Sequence, residues 1–399
     1  MAAPTDGEGV KPSRQVSGLT VLGVHQDSDA YPNSRYVVDL LKQSEALEVT
    51  EIRKTLFRNR PDFSPSKSLV SKLFDLGNLV IRAAYCHSSI MIRKWVGRND
   101  EIVYIPYPSV GVLSLYSFLP RALRPEKLVA DGFISIYETA VIDRLLLDSS
   151  GLWARLLKAL ERRAYKTASK VIVDTEENRA NFASLFDLAE SQFVALPLAT
   201  NEVDFTGSSY AAREGQCHVF FMGTFVPLQG LDVIARAIVA LRDRQDIRIT
   251  IMGYGQSAEQ FEAIVGPDMP QNLNWIKEWQ DSDAIARLIG SADICLGIFA
   301  ATPKANRVWP LKNYAYMACG RSLITADTAC ARRMLQACSG EPFATVPAGD
   351  AKALTEMIVS MAESPKTRSK LARDSQDYYG KHLANKVVRR KLIHDILLK

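Results

Sequence analysis

The 399-residue chain has no Cys-x-x-Cys pair, and none of its six cysteines (Cys86, Cys217, Cys295, Cys319, Cys330 and Cys338) has a histidine at a zinc-like spacing. Zinc ribbons and disulfide frameworks are therefore excluded, and scattered thiols fit a reducing cytosol. There is no short-period repeat, which removes solenoids and propellers. The stretch MAAPTDGEGVKPSRQ lacks the apolar core of a secretory signal, so residues 1-16 read as a flexible lead-in. A run of 19 uncharged residues between Glu101 and Arg121 is broken by Pro106, Pro108 and Pro120, and reads as strand, turn and short helix rather than a membrane span. Neither charge sign dominates. With 49 basic and 44 acidic residues the net charge is +5, too little to demand nucleic acid but compatible with an anionic ligand or membrane face.

What is present is ordinary globular composition, 47% hydrophobic and 23% charged, which can bury a large core. At about 150 residues per domain the length calls for two to three domains. Short β-rich runs alternate with amphipathic stretches, the pattern of parallel sheets covered by helices. The first series of expected strands is Leu19–His25, Glu51–Leu56, Ile102–Tyr107, Lys127–Ser135, Lys170–Asp174 and Phe193–Leu198. The second is His218–Phe225, Ile247–Gly253, Leu273–Trp279, Ile294–Phe299, Ser322–Ala326 and Phe343–Pro347. Between them Ala199–Gln216 is small and polar around Thr206-Gly207-Ser208-Ser209. We place Rossmann-like domains at 17-200 and 217-378, a linker at 201-216 and an amphipathic C-terminal helix at 379-399, whose apolar face either packs on the protein or meets a membrane. Two doubly wound α/β domains of similar size enclose a cleft, and ligands of such sheets bind at the carboxyl ends of the strands.

The segment FFMGTFVPLQGLDV sets Gly223 and Thr224 after a strand and Gly230 before a helix, where backbone amides and a helix N-terminus can receive a phosphate. In ITIMGYGQ, Gly253 and Gly255 form either a ligand loop or a plain tight turn. Residues 297–327 carry Lys304, Arg307 and Lys312 with no acid between Gly297 and Thr325. Uncompensated cations at a strand end call for solvent or an anion, and a diphosphate is the natural guest.

These segments, with IKEW at 276–279 (including Trp279), FISIYETAVIDR at 133–144 and ERRAYKTASKVIVDTEEN at 161–178, resemble glycosyltransferase family four, retaining enzymes of the GT-B fold, over most of the chain. The resemblance implies a nucleotide sugar held by the second domain and a departing phosphate that assists acceptor attack on the same face, with no metal or other cofactor. It also implies a hexose-type transfer to a sugar or lipid-linked acceptor, most often in cell-envelope or exported polysaccharide assembly, by a cytoplasmic or inner-membrane-face protein. The family's E-x7-E positions fall on Arg307 and Ala315, and its basic pair after the first strand of the second domain on Thr224 and Gln229. Losing the glutamate that receives the ribose hydroxyls should weaken nucleotide binding about ten- to a hundredfold. Another residue replaces it, the chain is a weakened binding subunit, or the alanine is an engineered substitution. Phosphate charge then falls to Lys304, Arg307 and Lys312.

On the acceptor side, Tyr137 and Glu138 face the cleft, where Glu138 can hold a hydroxyl, Arg144 can orient it or meet an anionic acceptor, and His25 lies near Ser34 and Arg35. A surface glutamate and a structural arginine or histidine are the plain alternatives. Asp27-Ser28-Asp29 and Asp281-Ser282-Asp283 match a metal-binding D-x-D pattern, as three-residue matches arise readily by chance in a chain with 44 acidic residues. The basic, leucine-bearing stretch from Lys67 to Arg98 reads as a solvated helix or as a dock on anionic lipid. A small natural-product acceptor is a third possibility, with less need of a basic surface.

Overall fold

Alternation of buried β-runs with helices resolves into two six-stranded, all-parallel sheets. The computed structural model describes residues 17–25, 33–55, 102–143, 147–202, 215–338 and 340–399, with helical positions 81, 85, 88 and 92. The expected lead-in, the Asp27 and Asp29 loop, Arg144, most of the Lys67–Arg98 helix and linker residues 203–214 lie outside these, and of His25 only the backbone is described.

The first sheet has the order β2-β1-β3-β4-β5-β6, formed by β1 (Ser17–His25), β2 (Leu47–Thr55), β3 (Ile102–Ile105), β4 (Lys127–Asp131), β5 (Lys170–Val173) and β6 (Phe193–Ala195). The second has the order β12-β11-β10-β7-β8-β9, formed by β7 (Cys217–Met222), β8 (Ile247–Met252), β9 (Leu273–Ile276), β10 (Ile294–Leu296), β11 (Ser322–Ala326) and β12 (Ala344–Val346). Each lies within or across an expected strand, and most stop short of its expected C-terminal end. Those apolar tails leave the ladder because they form the strand-end loops that line the cleft.

Helices cover both faces: α1 (Asn33–Lys42), α2 (Val110–Phe118), α3 (Leu152–Thr167) and α4 (Glu176–Phe186) on the first sheet, α5 (Leu231–Ala240), α6 (Ala258–Val265), α7 (Ser282–Ser291), α8 (Leu311–Ala318), α9 (Ala329–Gln336), α10 (Ala351–Ala362) and α11 (Pro365–Tyr378) on the second, then α12 (Asn385–Arg390). The uncharged run before Arg121 becomes β3 and α2, and no described helix is long and apolar enough to cross a membrane.

The chain crosses between domains twice, and the crossings are tied together. Thr200 N donates to Asn385 Oδ1 at 3.0 Å, while Glu202 Oε1 accepts from Tyr379 OH at 2.9 Å and Asn385 N at 2.6 Å. After the second crossing, Val388, Leu392, Ile393, Ile396 and Leu397 enter the core around Leu19, Val21 and Val37. The apolar face of the C-terminal helix is thus spent on the first domain. Leu392→Ala, at a fully buried position, should cost about 2–4 kcal/mol in chemical denaturation; an unchanged midpoint would contradict this packing.

Candidate active site

In the second sheet the strand order reverses between β7 and β10, so the loops after these strands form the crevice where such sheets bind ligands. The glycines of the loops after β7 and β8 are needed for close packing. A Cβ on Gly253, whose φ is +127°, would lie 1.8 Å from the Gly223 carbonyl oxygen, and one on Gly230 (φ +68°) 2.5 Å from Ala300 N. One on Gly255 would come within 2.1 Å of the Thr224 carbonyl oxygen. Protein–protein contact between the strand-end loops accounts for Gly253 and Gly255 without any ligand, which favours the tight-turn reading of GYG. Gly223 is pressed by the carboxamide of Gln229, whose Oε1 is buried without a partner.

Three helices of the second domain begin without a side-chain cap, α5 after Gly230 and α8 after Pro310 at this crevice and α6 after Ser257, whereas α7, α9, α10 and α11 are capped by Asp281, Thr328, Asp350 and Ser364. In the first turn of α8, Lys312 is 7% exposed, with its ammonium 3.8 Å from the centroid of the Phe221 ring and no hydrogen-bond partner. Burial drives its pKa well below the usual lysine value. Next to it Asn313 is fully buried, with both carboxamide atoms unpaired. Orphaned buried polar groups cost free energy comparable to a lost hydrogen bond, and such a concentration is characteristic of sites that receive something. Ala315, one turn on, packs in the apolar cluster with Tyr314 and Tyr316.

The premise that nothing acidic compensates the 297–325 cations needs correction, because the acid comes from the other domain. Arg307 Nη2 pairs with Glu138 Oε1, and both side chains are largely buried. Arg307 Nε also donates to Asn178 Oδ1 at 3.3 Å, its Nη1 to the Pro303 carbonyl at 2.9 Å, and the Thr175 hydroxyl donates to the Arg307 carbonyl at 2.6 Å. Glu138 accepts additionally from Asn181 at 3.4 Å. The post-β10 loop therefore docks on the N-terminus of α4, and a second pair, Arg333 Nε to Glu177 Oε1 at 2.5 Å, supports it. Lys304 lies half-exposed on the same loop, and Trp279 stands half-exposed in the loop beyond β9.

On the acceptor side, β4 ends at Asp131, four residues before the expected Ser135. Asp131 Oδ1 accepts from Phe133 N at 2.9 Å and turns the chain into the loop that carries Glu138. That loop is held by Glu161, which is fully buried on α3 and accepts from Ser135 Oγ, Ile136 N, Tyr137 N and Tyr165 OH at 2.8–3.1 Å. Burial raises the Glu161 pKa against these four donors. Ser34 is buried at the start of α1, Arg35 is exposed with its guanidinium 5.4 Å from the Tyr36 ring centroid, and the adjacent Asn33 accepts from Ala199 N at 2.7 Å. Asp131 and Asp174 line a small cavity with Asn33 and Leu198, and burial pushes their carboxyls up to about 7 and about 6. Asp131, Glu161, Asp174 and Asn178 were not anticipated. The strand-then-acid pattern of VAD and IVD was the available signal for the two aspartates; nothing local marks Glu161.

Residues 216–364 match the model of the family described as glycosyl transferases group 1. No curated protein matches. Among solved structures, Anabaena HepE in complex with UDP and glucose is similar at 13% identity and TM-score 0.63, over 96% of this chain and 99% of that one. The sucrose-phosphate synthase of Thermosynechococcus elongatus is similar at 15% identity and TM-score 0.67, over 95% and 97%. The N-terminal domain of Candida albicans trehalose-6-phosphate phosphatase is similar at 11% identity and TM-score 0.66, over 98% and 99%. The fold is GT-B, two Rossmann-like sheets facing one another.

Two outcomes follow. Glu161→Ala strands four donors and should cost about 3 kcal/mol by denaturant titration, whereas Glu161→Gln costs less. Because the folded pKa values of Asp131 and Asp174 lie above those of the unfolded chain, their contribution is full below pH 4 and is lost as pH rises through about 6–7. Asp131→Asn should accordingly make the slope of Tm against pH between 5 and 8 less negative or more positive than in wild type; an identical slope would contradict a buried, protonating Asp131.

Proposed function

We propose that the protein is a retaining glycosyltransferase of family-four type that moves a hexose-type sugar from a nucleoside diphosphate to an acceptor hydroxyl. The observation that carries this reading is the unpaired, buried Lys312 ammonium at the uncapped start of α8, inside the crevice where the strand order reverses. A diphosphate supplies the missing partner for Lys312, and the free amides of α5 add the positive end of a helix. The match to group 1 glycosyl transferases and the UDP-glucose complex of the similar HepE support the donor class. No metal is required.

In the reaction, the bond between the sugar's anomeric carbon and the phosphate oxygen breaks and its electrons pass to the diphosphate. The acceptor oxygen bonds to the same face of that carbon, and its proton goes to the departing phosphate. The protein positions the two substrates and neutralises charge where it develops. Glu138, fixed by Arg307, is the acid available to a substrate hydroxyl in the cleft. Cell-envelope or exported polysaccharide assembly at the cytoplasmic face is the setting we assign, by analogy of fold and family.

Calorimetry with UDP, GDP, ADP and dTDP tests the donor site. At least one should bind, Lys312→Ala should weaken it about ten- to a hundredfold, and binding should take up a proton. Burial lowers the pKa of free Lys312 and a bound anion raises it, so affinity should fall as pH rises from the depressed value toward the raised one. Unchanged affinity in Lys312→Ala would remove the assignment. The second reading, a weakened nucleotide- or sugar-binding subunit, is favoured by the apolar surroundings of Ala315; it gains ground if Ala315→Glu binds nucleotide and the native chain does not.

A further inference from the structure

Helix α3 is amphipathic in the reverse sense. Ala154, Glu161, Ala164 and Tyr165 face the protein, while Leu152, Trp153, Leu156 and Leu160 are exposed by 64%, 72%, 50% and 40%. At 3.6 residues per turn these four fill a stripe about 100° wide, the width that a globular helix normally turns toward its core. The apolar surface continues onto α2 through Phe118, which is exposed, with the Arg163 guanidinium 4.1 Å from its ring centroid. Arg155 and Lys166 run along one border of the stripe, and the helix's sole acid is the buried Glu161, so its outward face carries positive charge only.

We propose that this face docks on an anionic lipid bilayer. Leucines and an exposed tryptophan beside a basic border are what an in-plane interfacial helix presents, apolar groups entering the acyl boundary and cations meeting lipid phosphates. A second copy of this chain is the poorer occupant, because it brings the same basic border against itself. The docking helix is also the one whose Glu161 holds Ser135, Ile136 and Tyr137, directly before Glu138. A membrane bound at the outward face of α3 is therefore registered to the acceptor-side loop, as a lipid-linked acceptor requires. Docking itself goes beyond the transferase reading and is measured without turnover.

The experiment is flotation of the full chain with phosphatidylcholine vesicles, with and without phosphatidylglycerol. The chain should float with the anionic vesicles only and be released by salt, and Arg155→Gln/Lys166→Gln should weaken this on the order of thirtyfold. Trp153→Glu/Leu156→Glu should abolish it while leaving nucleotide binding unchanged. Independently, brominated lipid should quench tryptophan fluorescence in wild type and less in Trp153→Phe, which keeps an apolar side chain. Absence of flotation, flotation equal in all variants, or a solution dimer dissolved by Trp153→Glu/Leu156→Glu would overturn the proposal, the last by assigning the face to a second copy.

Discussion

Glu138 and Arg307 meet across the cleft, and much of the site is arranged around their contact. An ion pair this withdrawn from solvent is sustained only when its remaining hydrogen-bonding groups are also satisfied. Here Asn178, Asn181 and the Pro303 carbonyl do that, from α4 and from the post-β10 loop. The pair therefore ties together two loops from different domains and fixes how the acceptor side faces the crevice that holds Lys312. Its acidic member is supported from behind by Glu161, so the chain of positioning runs from α3 through a buried carboxylate to the cleft.

The two buried cations are treated differently. Arg307 has its countercharge built in, whereas Lys312 has an aromatic face and no anion. Arg307 is thereby fixed across a domain boundary, while the Lys312 ammonium stands among the orphaned amide atoms of Asn313. Arg307 is thus a cross-domain anchor, while Ala315, one turn beyond Lys312, is core.

Much of the fold was legible because parallel strands buried on both faces leave continuous apolar runs, and helices between them leave periodic ones. Strand ends were less so: β4 stops at Asp131 since that carboxylate captures the Phe133 amide, a local contact that hydrophobicity does not encode. In the site, Glu138, Arg307 and Lys312 could be singled out by type and place, yet that the first two are partners could not, because they lie 169 residues apart. Glu161 was invisible for the same reason, its donors in the Glu138 loop being 24–26 residues away. The glycines of GYG left two readings open, since a ligand and a neighbouring carbonyl demand the same bare backbone.

The central claim is that the crevice between β7 and β10 receives a diphosphate at Lys312. A crystal structure of the full chain with bound nucleoside diphosphate tests it most directly. The account predicts phosphate oxygens within hydrogen-bonding distance of Lys312 Nζ and the first amides of α5, with the Glu138–Arg307 pair intact. Phosphates lodged elsewhere, with the Lys312 ammonium still against Phe221 and unpaired, would contradict it.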